Sequence, residues 1–313
     1  MSNQLLILSR DYKLYAQAIQ QANLANCVIA HAGSSAGEVP IQLNFDIAFG
    51  EPNLLASVLP QLPSVRWVQS TWAGVEPLLA SGQRTDYTLT NARGVFGKLM
   101  VEYVFGYLLA HERRIFARWQ NQNAQQWDAR PPGTLQGKRL GLMGVGSIGG
   151  ELAKAGVFFG MEVWGYTRAS EDCQAVSRYF HGEQFAQFLG NLDYLVCVLP
   201  NTQQTVGLLN SQTLAFLPKH AVLLNVGRGK SIDESALAEH LTAGKLGGAV
   251  LDVFVQEPLP LSHPFWHTPN LLITSHTAAL SDPLALTNLF VRNYQHWHEK
   301  KSLQYQVDFH LGY

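Results

Sequence analysis

The chain has 313 residues, of which 47% are hydrophobic and only 14% are charged. This composition excludes a disordered protein and is sufficient for more than one hydrophobic core. Lys and Arg number 22 and Asp and Glu number 23, so the formal net charge is −1. Because no basic excess is available to neutralise phosphates, nucleic acid is not an expected partner.

The sequence also predicts no membrane partner, no export and no bound metal. Its longest apolar runs are far shorter than the roughly 18 residues that cross a bilayer. The apolar stretch near its N-terminus is too short for the hydrophobic region of a signal peptide. The cysteines Cys27, Cys173 and Cys197 form no CxxC pair, and the histidine pairs lack the helical spacing of a metal site. A reducing cytoplasm is therefore the expected location.

Short apolar runs alternate with helical patterns along the chain, which is typical of α/β sheets. In the first part, strands are predicted over residues 4–8, 27–30, 46–49 and 65–69, with helices over 12–22 and 53–59. One long helix is predicted over 97–119, because apolar residues there recur at three and four positions.

A second series begins at Arg139 and predicts another doubly wound sheet. Its predicted strands start at 139 and then cover 162–166, 194–199, 222–226, 249–253 and 271–274, with helices over 148–159 and 234–243. A last helix, predicted over 283–297, follows the completed series. We therefore expect it to return the chain to the first domain.

The segment GVGSIG directly follows the strand at 139 and opens the helix after it. Chance alone supplies roughly 0.2 GxGxxG matches in a chain of this composition, so the flanking strand and helix carry the prediction. They indicate a dinucleotide pyrophosphate site, and a plain βα turn is the alternative. The predicted contacts are Gly144, Val145, Gly146, Ser147, Ile148 and Gly149.

The strand at 162–166 has no carboxylate at its end to bind the adenosine ribose of NAD. Glu162 opens the strand and Asp172 lies well beyond it. Arg168, about 20 positions after the last glycine, is predicted to pair with a 2′-phosphate, assisted by the hydroxyls of Thr167 and Ser170. NADP(H) is therefore expected to be preferred over NAD(H). The alternative is that Arg168 is a solvated charge and that the site accepts both cofactors.

Three ionisable residues follow consecutive strands of the second series, where open α/β sheets bind their ligands. Arg228 lies between two glycines, Glu257 lies in a proline-rich turn, and His276 precedes three small residues. Singly, none of them indicates a site, since most arginines and glutamates are solvated and most histidines are structural. The combination is more informative.

These motifs together resemble the D-isomer-specific 2-hydroxyacid dehydrogenase family, and among its branches the glyoxylate/hydroxypyruvate reductase A group. The matching segments occur in family order and cover most of the second series: 144–149, 199–210, 225–229, 251–260 and 273–279, with 71–76 in the first. Ser275 stands where the family commonly has a proline before its histidine. This substitution is expected to loosen the loop without removing a functional group.

The resemblance implies two doubly wound α/β domains with an interdomain cleft. Residues 98–282 would form the Rossmann NAD(P)-binding domain, and residues 1–97 with 283–313 would form a flavodoxin-like substrate-binding domain. A homodimer is also implied. Further expected cofactor contacts are Leu199, Pro200, Thr205, Val226, Gly227 and Asp252.

The implied reaction is the reduction of a small 2-oxo acid, such as glyoxylate or hydroxypyruvate, to a D-2-hydroxy acid. His276 would supply the proton, Glu257 would orient its ring, and Arg228 would hold the substrate carboxylate. Backbone amides at Trp72, Ala73 and Gly74 would also bind that carboxylate. Two alternatives stay open: a family member with another 2-oxo acid substrate, and a non-catalytic module that senses NADPH.

Overall fold

The computed structural model describes residues 2–312. The chain divides into two compact units, Met1–Val95 with Ser281–Tyr313, and Phe96–Leu280. No helix within residues 2–312 is long and apolar enough to cross a membrane.

The first unit is built on a five-stranded parallel sheet with the order β2-β1-β3-β4-β5. This is the flavodoxin-like order. Its strands are β1 (Asn3–Leu8), β2 (Cys27–Gly33), β3 (Ile47–Gly50), β4 (Trp67–Ser70) and β5 (Thr88–Thr90). Its helices are α1 (Tyr12–Gln21), α2 (Pro52–Val58) and, from the C-terminal segment, α9 (Pro283–His298).

The central strands of this sheet are covered on both faces, since every residue of β3 and β4 is buried. Helix α9 packs through Phe290, whose ring stacks on Trp67 with the ring centroids 5.3 Å apart. The ring of Phe290 also lies 5.0 Å from that of Phe49. These aromatic contacts bring the last helix of the chain onto the first sheet.

The second unit is built on a seven-stranded parallel sheet with the order β12-β11-β10-β9-β6-β7-β8. Its strands are β6 (Arg139–Met143), β7 (Glu162–Tyr166), β8 (Arg178–Phe180), β9 (Tyr194–Cys197), β10 (Val222–Asn225), β11 (Gly248–Leu251) and β12 (Leu271–Ile273). Its helices are α3 (Gly97–Glu112), α4 (Ile115–Asn123), α5 (Ser147–Phe158), α6 (Phe185–Leu189), α7 (Ser211–Leu214) and α8 (Glu234–Thr242).

Apolar clusters cover both faces of the seven-stranded sheet because successive side chains of a strand point to opposite sides. In β9, Leu195 and Cys197 belong to one cluster, whereas Tyr194 and Val196 belong to the other. This double burial explains why the strands appear in the sequence as continuous apolar runs. The predicted fold class, α/β with two doubly wound parallel sheets, is confirmed.

The single helix predicted over 97–119 is wrong, since the structure has two helices there. Helix α3 ends at Glu112, and α4 begins at Ile115. Between them Arg114 adopts φ 56°, a left-handed conformation that no continuous helix accommodates. The Arg114 side chain turns towards the Asp128 carboxylate, 3.5 Å away, so the break is accompanied by a local ion pair.

Candidate active site

The loops singled out from the sequence leave the same edge of the seven-stranded sheet. In parallel α/β sheets, ligands bind beyond the carboxyl ends of the strands, where the strand order reverses. Here the reversal lies between β6 and β9, which are neighbours in the sheet although β7 and β8 separate them in the chain.

The loop after β6 is the glycine-rich turn. Gly144 has φ 96°, a backbone conformation that favours glycine. A Cβ atom on Gly149 would overlap the carbonyl oxygen of Gly144, so helix α5 begins this close to the strand only because residue 149 has no side chain. The first N–H groups of α5 have no partner within the helix and fit a pyrophosphate.

The loop after β7 carries Thr167, Arg168 and Ser170. Arg168 is exposed. The Thr167 hydroxyl donates to the carbonyl oxygen of Ser170 at 2.7 Å, and the Ser170 hydroxyl donates to the Asp172 carboxylate at 2.9 Å. Both hydroxyl hydrogens are therefore used within the loop. Of the three residues, Arg168 is the one whose charge suits a phosphate.

A histidine that sequence reasoning missed also holds this loop. The Nδ1 atom of His181 lies 2.9 Å from the carbonyl oxygen of Thr167, and its Nε2 atom lies 2.8 Å from the Glu171 carboxylate. Both partners are acceptors, so both ring nitrogens donate only when the imidazole is charged. Glu171 and then the Thr167 carbonyl raise the pKa of His181. The charged clamp is complete at low pH and is lost as the pH rises through that raised pKa.

The loops after β9 and β10 approach each other closely. A Cβ atom on Gly227 would lie 2.8 Å from the backbone nitrogen and oxygen of Leu199, which is too close for any other residue. The Thr205 hydroxyl donates to the carbonyl oxygen of Pro200 at 2.7 Å, and Val226 is buried. The hydroxyl of Thr205, a residue predicted to contact a cofactor, therefore stabilises the loop in which it lies.

The side chain of Asn225, which sequence reasoning also missed, shapes the turn that carries Arg228. Its Oδ1 accepts from the Gly227 amide at 3.1 Å, and its Nδ2 donates to the Arg228 carbonyl at 3.0 Å. The Ser231 hydroxyl donates to the same carbonyl at 2.7 Å. These hydrogen bonds fix the backbone of residues 227 and 228. The position of the Arg228 Cα atom, from which the half-buried side chain extends, is therefore defined.

His276 and Glu257 form a hydrogen-bonded pair. The His276 Nδ1–H donates to Glu257 Oε2 at 2.7 Å, and the side chains are 56% and 35% exposed, respectively. The other carboxylate oxygen of Glu257 accepts from the Phe254 amide at 2.8 Å. The carboxylate is therefore held by two donors, and the Nε2 atom of His276 is left at the far side of the ring from Glu257.

The turn that carries Arg228 packs on the loop that carries Glu257. A Cβ atom on Gly229 would overlap the carbonyl carbon of Phe254, whose amide binds Glu257. Strands β10, β11 and β12 are also consecutive neighbours in the sheet. Arg228, Glu257 and His276 therefore lie on neighbouring loops at one edge of the sheet.

Asp252 is 1% exposed, and its carboxylate supports the turn that carries His276. It accepts a short hydrogen bond from the Thr274 hydroxyl and also binds the amides of Thr277 at 2.9 Å and Ala278 at 3.0 Å. Its carbonyl oxygen accepts from the His276 amide at 2.8 Å. The cofactor contact predicted for Asp252 stays a prediction, and the structure adds that its carboxylate supports the His276 turn. These bonds hold the turn although Ser275 replaces the usual proline.

The first unit, taken by itself, carries one of the predicted loops, after β4. Trp72 donates its amide to the Ser70 hydroxyl at 2.9 Å, and the Asn91 side chain donates to the Ala73 carbonyl at 2.9 Å. The Ser70 hydroxyl also lies 2.9 Å from the Trp72 carbonyl, so the carbonyl groups of Trp72 and Ala73 both bind protein side chains. Among residues 2–312, no hydrogen bond is found for the amides of Ala73 and Gly74, which suits them to an anion.

The family model for the NAD binding domain of D-isomer specific 2-hydroxyacid dehydrogenases matches residues 105–278. A glyoxylate/hydroxypyruvate reductase A from Serratia proteamaculans is 36% identical over 250 residues, which is 77% of this chain and 79% of that protein. The chain belongs to the D-isomer specific 2-hydroxyacid dehydrogenase family. It is an NAD(P)-dependent oxidoreductase of this class.

Solved structures of the dehydrogenase family agree with this assignment over the whole chain. A family protein from Aeromonas salmonicida is 37% identical with a TM-score of 0.92, covering 99% of this chain and 100% of that one. An NADPH-dependent glyoxylate/hydroxypyruvate reductase from Sinorhizobium meliloti, solved with NADP and sulfate, is 28% identical with a TM-score of 0.87 and full coverage of both chains.

The glycine-rich turn of the dehydrogenase allows a matched test. We expect Gly149→Ala to lower the free energy of unfolding by about 1–3 kcal/mol, because the new methyl group overlaps backbone that cannot move freely. We also expect NADPH binding to weaken about tenfold or more, since the displaced helix start loses hydrogen bonds to the anion. Urea unfolding and fluorescence titration with NADPH measure the two effects.

Gly150→Ala is the control for this test. A Cβ atom at residue 150 meets only the Cys173 sulfur at 3.9 Å, an ordinary contact, and alanine favours a helix over glycine. Stability and NADPH affinity are expected to be unchanged or slightly higher. Equal losses in the two variants would contradict the structural role assigned to Gly149.

Proposed function

We propose that this dehydrogenase is an NADPH-preferring reductase of small 2-oxo acids, glyoxylate and hydroxypyruvate, and that it produces D-2-hydroxy acids. The observation that carries the proposal is the His276 Nδ1 to Glu257 Oε2 hydrogen bond of 2.7 Å, on loops adjacent to the Arg228 turn. An acid, a carboxylate that orients it and a cation are the groups that carbonyl reduction requires.

His276 is the proton donor of the proposed reaction. When the carbonyl carbon is reduced, negative charge develops on the substrate oxygen, and a charged imidazole neutralises it by transferring a proton. Because Glu257 accepts the Nδ1–H, the Nε2–H is the one offered to the substrate. Glu257 also fixes the ring orientation, since its second oxygen is tied to the Phe254 amide.

Arg228 binds the substrate carboxylate. A guanidinium meets a carboxylate through two parallel hydrogen bonds, which fix the orientation of the substrate as well as its position. Asn225 and Ser231 donate hydrogen bonds to the Arg228 carbonyl oxygen, and these bonds fix the backbone that carries the guanidinium. In the first unit, the amides of Ala73 and Gly74 present an anion-binding loop suited to the same class of ligand.

NADPH is the preferred cofactor in this proposal, and it supplies the hydride when bound. The α5 N-terminus at Gly146 to Gly149 would hold its pyrophosphate, and Arg168 would pair with the 2′-phosphate. The two acidic residues in the loop after β7 already accept hydrogen bonds from the protein, Asp172 from Ser170 and Glu171 from His181. These bonds hold both carboxylates on neighbouring side chains, which disfavours their use for the ribose hydroxyls of NAD. The relative from Sinorhizobium meliloti is NADPH-dependent, which supports this choice.

A homodimer in a reducing compartment is part of the proposal. Several large apolar side chains between residues 115 and 158 are exposed, including Trp127 at 95% and Phe158 at 82%. Exposed apolar surface of this kind favours a protein interface. The three cysteines are free thiols, which suits the cytoplasm. A monomer in analytical ultracentrifugation at micromolar concentration would contradict the dimer.

An assay of cofactor oxidation tests the proposed reaction. With NADPH, we expect turnover of glyoxylate and hydroxypyruvate, and a lower kcat/KM with NADH for each substrate.

His276→Gln is expected to lower kcat by about 100-fold or more because the proton donor is lost. Arg168→Ala is expected to lower kcat/KM with NADPH and to leave the NADH value near that of the unmodified enzyme.

His267→Gln serves as the histidine control because His267 is exposed and lies outside the predicted site. We expect it to retain the activity of the unmodified enzyme. Tight NADPH binding without turnover of any 2-oxo acid would instead indicate a sensing module. Full activity of His276→Gln at neutral pH would overturn the proton-donor assignment.

A further inference from the structure

A chain of hydrogen bonds connects helix α3 to the turn that carries His276. The Tyr103 hydroxyl on α3 lies 2.7 Å from the Thr274 hydroxyl, at the end of β12. The Thr274 hydroxyl in turn donates to Asp252 Oδ1 through a short hydrogen bond. The sequence patterns assigned Tyr103 only to a long helix and gave it no part in the site.

The direction of this chain follows from its chemistry. An ionised carboxylate only accepts hydrogen bonds, so Thr274 gives its single hydroxyl hydrogen to Asp252. The Tyr103 hydroxyl must then be the donor to Thr274. Burial raises the pKa of Tyr103, so its hydroxyl stays protonated, as a donor must be, at every pH near neutrality.

Asp252 connects this chain of hydrogen bonds to the residues around His276. Its carboxylate binds the Thr277 and Ala278 amides, and its carbonyl oxygen binds the His276 amide at 2.8 Å. His276 has φ 56°, a left-handed conformation that few non-glycine residues adopt, although histidine does so more often than most. The surrounding bonds must hold it there, because the isolated backbone would leave that conformation.

Packing places α3 against the same turn. Ala278 is buried in one apolar cluster with Val104 and Phe105, the residues that follow Tyr103 on α3. The Tyr103 ring is half-buried and lies 4.9 Å from the ring of Tyr107, one turn further along the helix. The phenol ring therefore packs against α3, and its hydroxyl lies at hydrogen-bond distance from Thr274.

We propose that Tyr103 is a positioning residue for the reaction, and that its hydroxyl, through Thr274 and Asp252, sets the orientation of the His276 imidazole. The inference rests on the proposed role of His276 as the proton donor. Tyr103 contacts neither substrate nor cofactor in this account, so it acts on the proton-transfer step and leaves ligand binding unchanged.

The test is steady-state kinetics of Tyr103→Phe with hydroxypyruvate and NADPH. Loss of one neutral hydrogen bond in the chain is expected to lower kcat about threefold to tenfold. KM for the 2-oxo acid and the NADPH dissociation constant, measured by fluorescence, are expected to stay within about twofold of the unmodified enzyme. Tyr107→Phe is the matched control, and its kcat is expected to be unchanged.

Thr274 provides a second, independent variant. Thr274→Val removes the hydroxyl at nearly constant shape and is expected to lower kcat at least as much as Tyr103→Phe. Combined with Thr274→Val, Tyr103→Phe is expected to cause no further loss, because the two residues act through one chain. Thr274→Ser restores the hydroxyl and is expected to raise kcat above the Thr274→Val value.

Two results would overturn the proposal: a Tyr103→Phe enzyme with unchanged kcat, or losses in kcat that multiply independently in the double variant. A fall in unfolding temperature with kcat unchanged would assign Tyr103 a structural role only. These outcomes are separable from failure of the proposed function, since that failure would appear as full activity of His276→Gln or as no turnover of any 2-oxo acid by the unmodified enzyme.

Discussion

The site depends on a buried carboxylate, Asp252, for which residues 2–312 supply hydrogen-bond donors but no ion pair. Asp252 is 1% exposed, and its charge is balanced by hydrogen bonds from Thr274, Thr277 and Ala278. In a low-dielectric interior, each of these donors lowers the cost of burying the carboxylate. The turn from 274 to 278 therefore has one arrangement that satisfies the carboxylate, and this arrangement fixes the backbone of His276.

Glycines at close approaches extend this constraint across the edge of the sheet. Gly229 lets the Arg228 turn rest on Phe254, whose amide holds Glu257, and Gly227 lets the same turn rest on Leu199. The loops after β9, β10 and β11 thus position one another through backbone contact. A parallel sheet supplies the common edge, and the missing side chains let the loops close over it.

The sequence predicted the strands of the second sheet well, because strands covered on both faces require continuous apolar runs. It missed β5 and β8, which have only three residues each and show no periodicity. The helix break at Arg114 was also missed, because the spacing of apolar residues in α3 and α4 does not indicate a left-handed residue between them.

Within the site, the sequence identified the residues that carry charge but not those that hold them. Arg228, Glu257 and His276 stand out because each follows a strand. Asn225 and His181 instead act through side-chain hydrogen bonds that fix loop conformations, and Tyr103 acts through a contact with Thr274, which is distant in the chain. Such contacts depend on how strands and helices pack, and periodicity carries no information about the partner of a given hydroxyl. Asp252 was predicted only to contact a cofactor, and its hydrogen bonds to the His276 turn are a role that the sequence did not indicate. The most direct test of this arrangement is a crystal structure with NADP and a non-reducible 2-oxo acid analogue such as oxamate. We expect His276 Nε2 within about 3.2 Å of the carbonyl oxygen of the analogue, and the Arg228 guanidinium on its carboxylate. An analogue bound away from His276, or an imidazole released from Glu257, would contradict it.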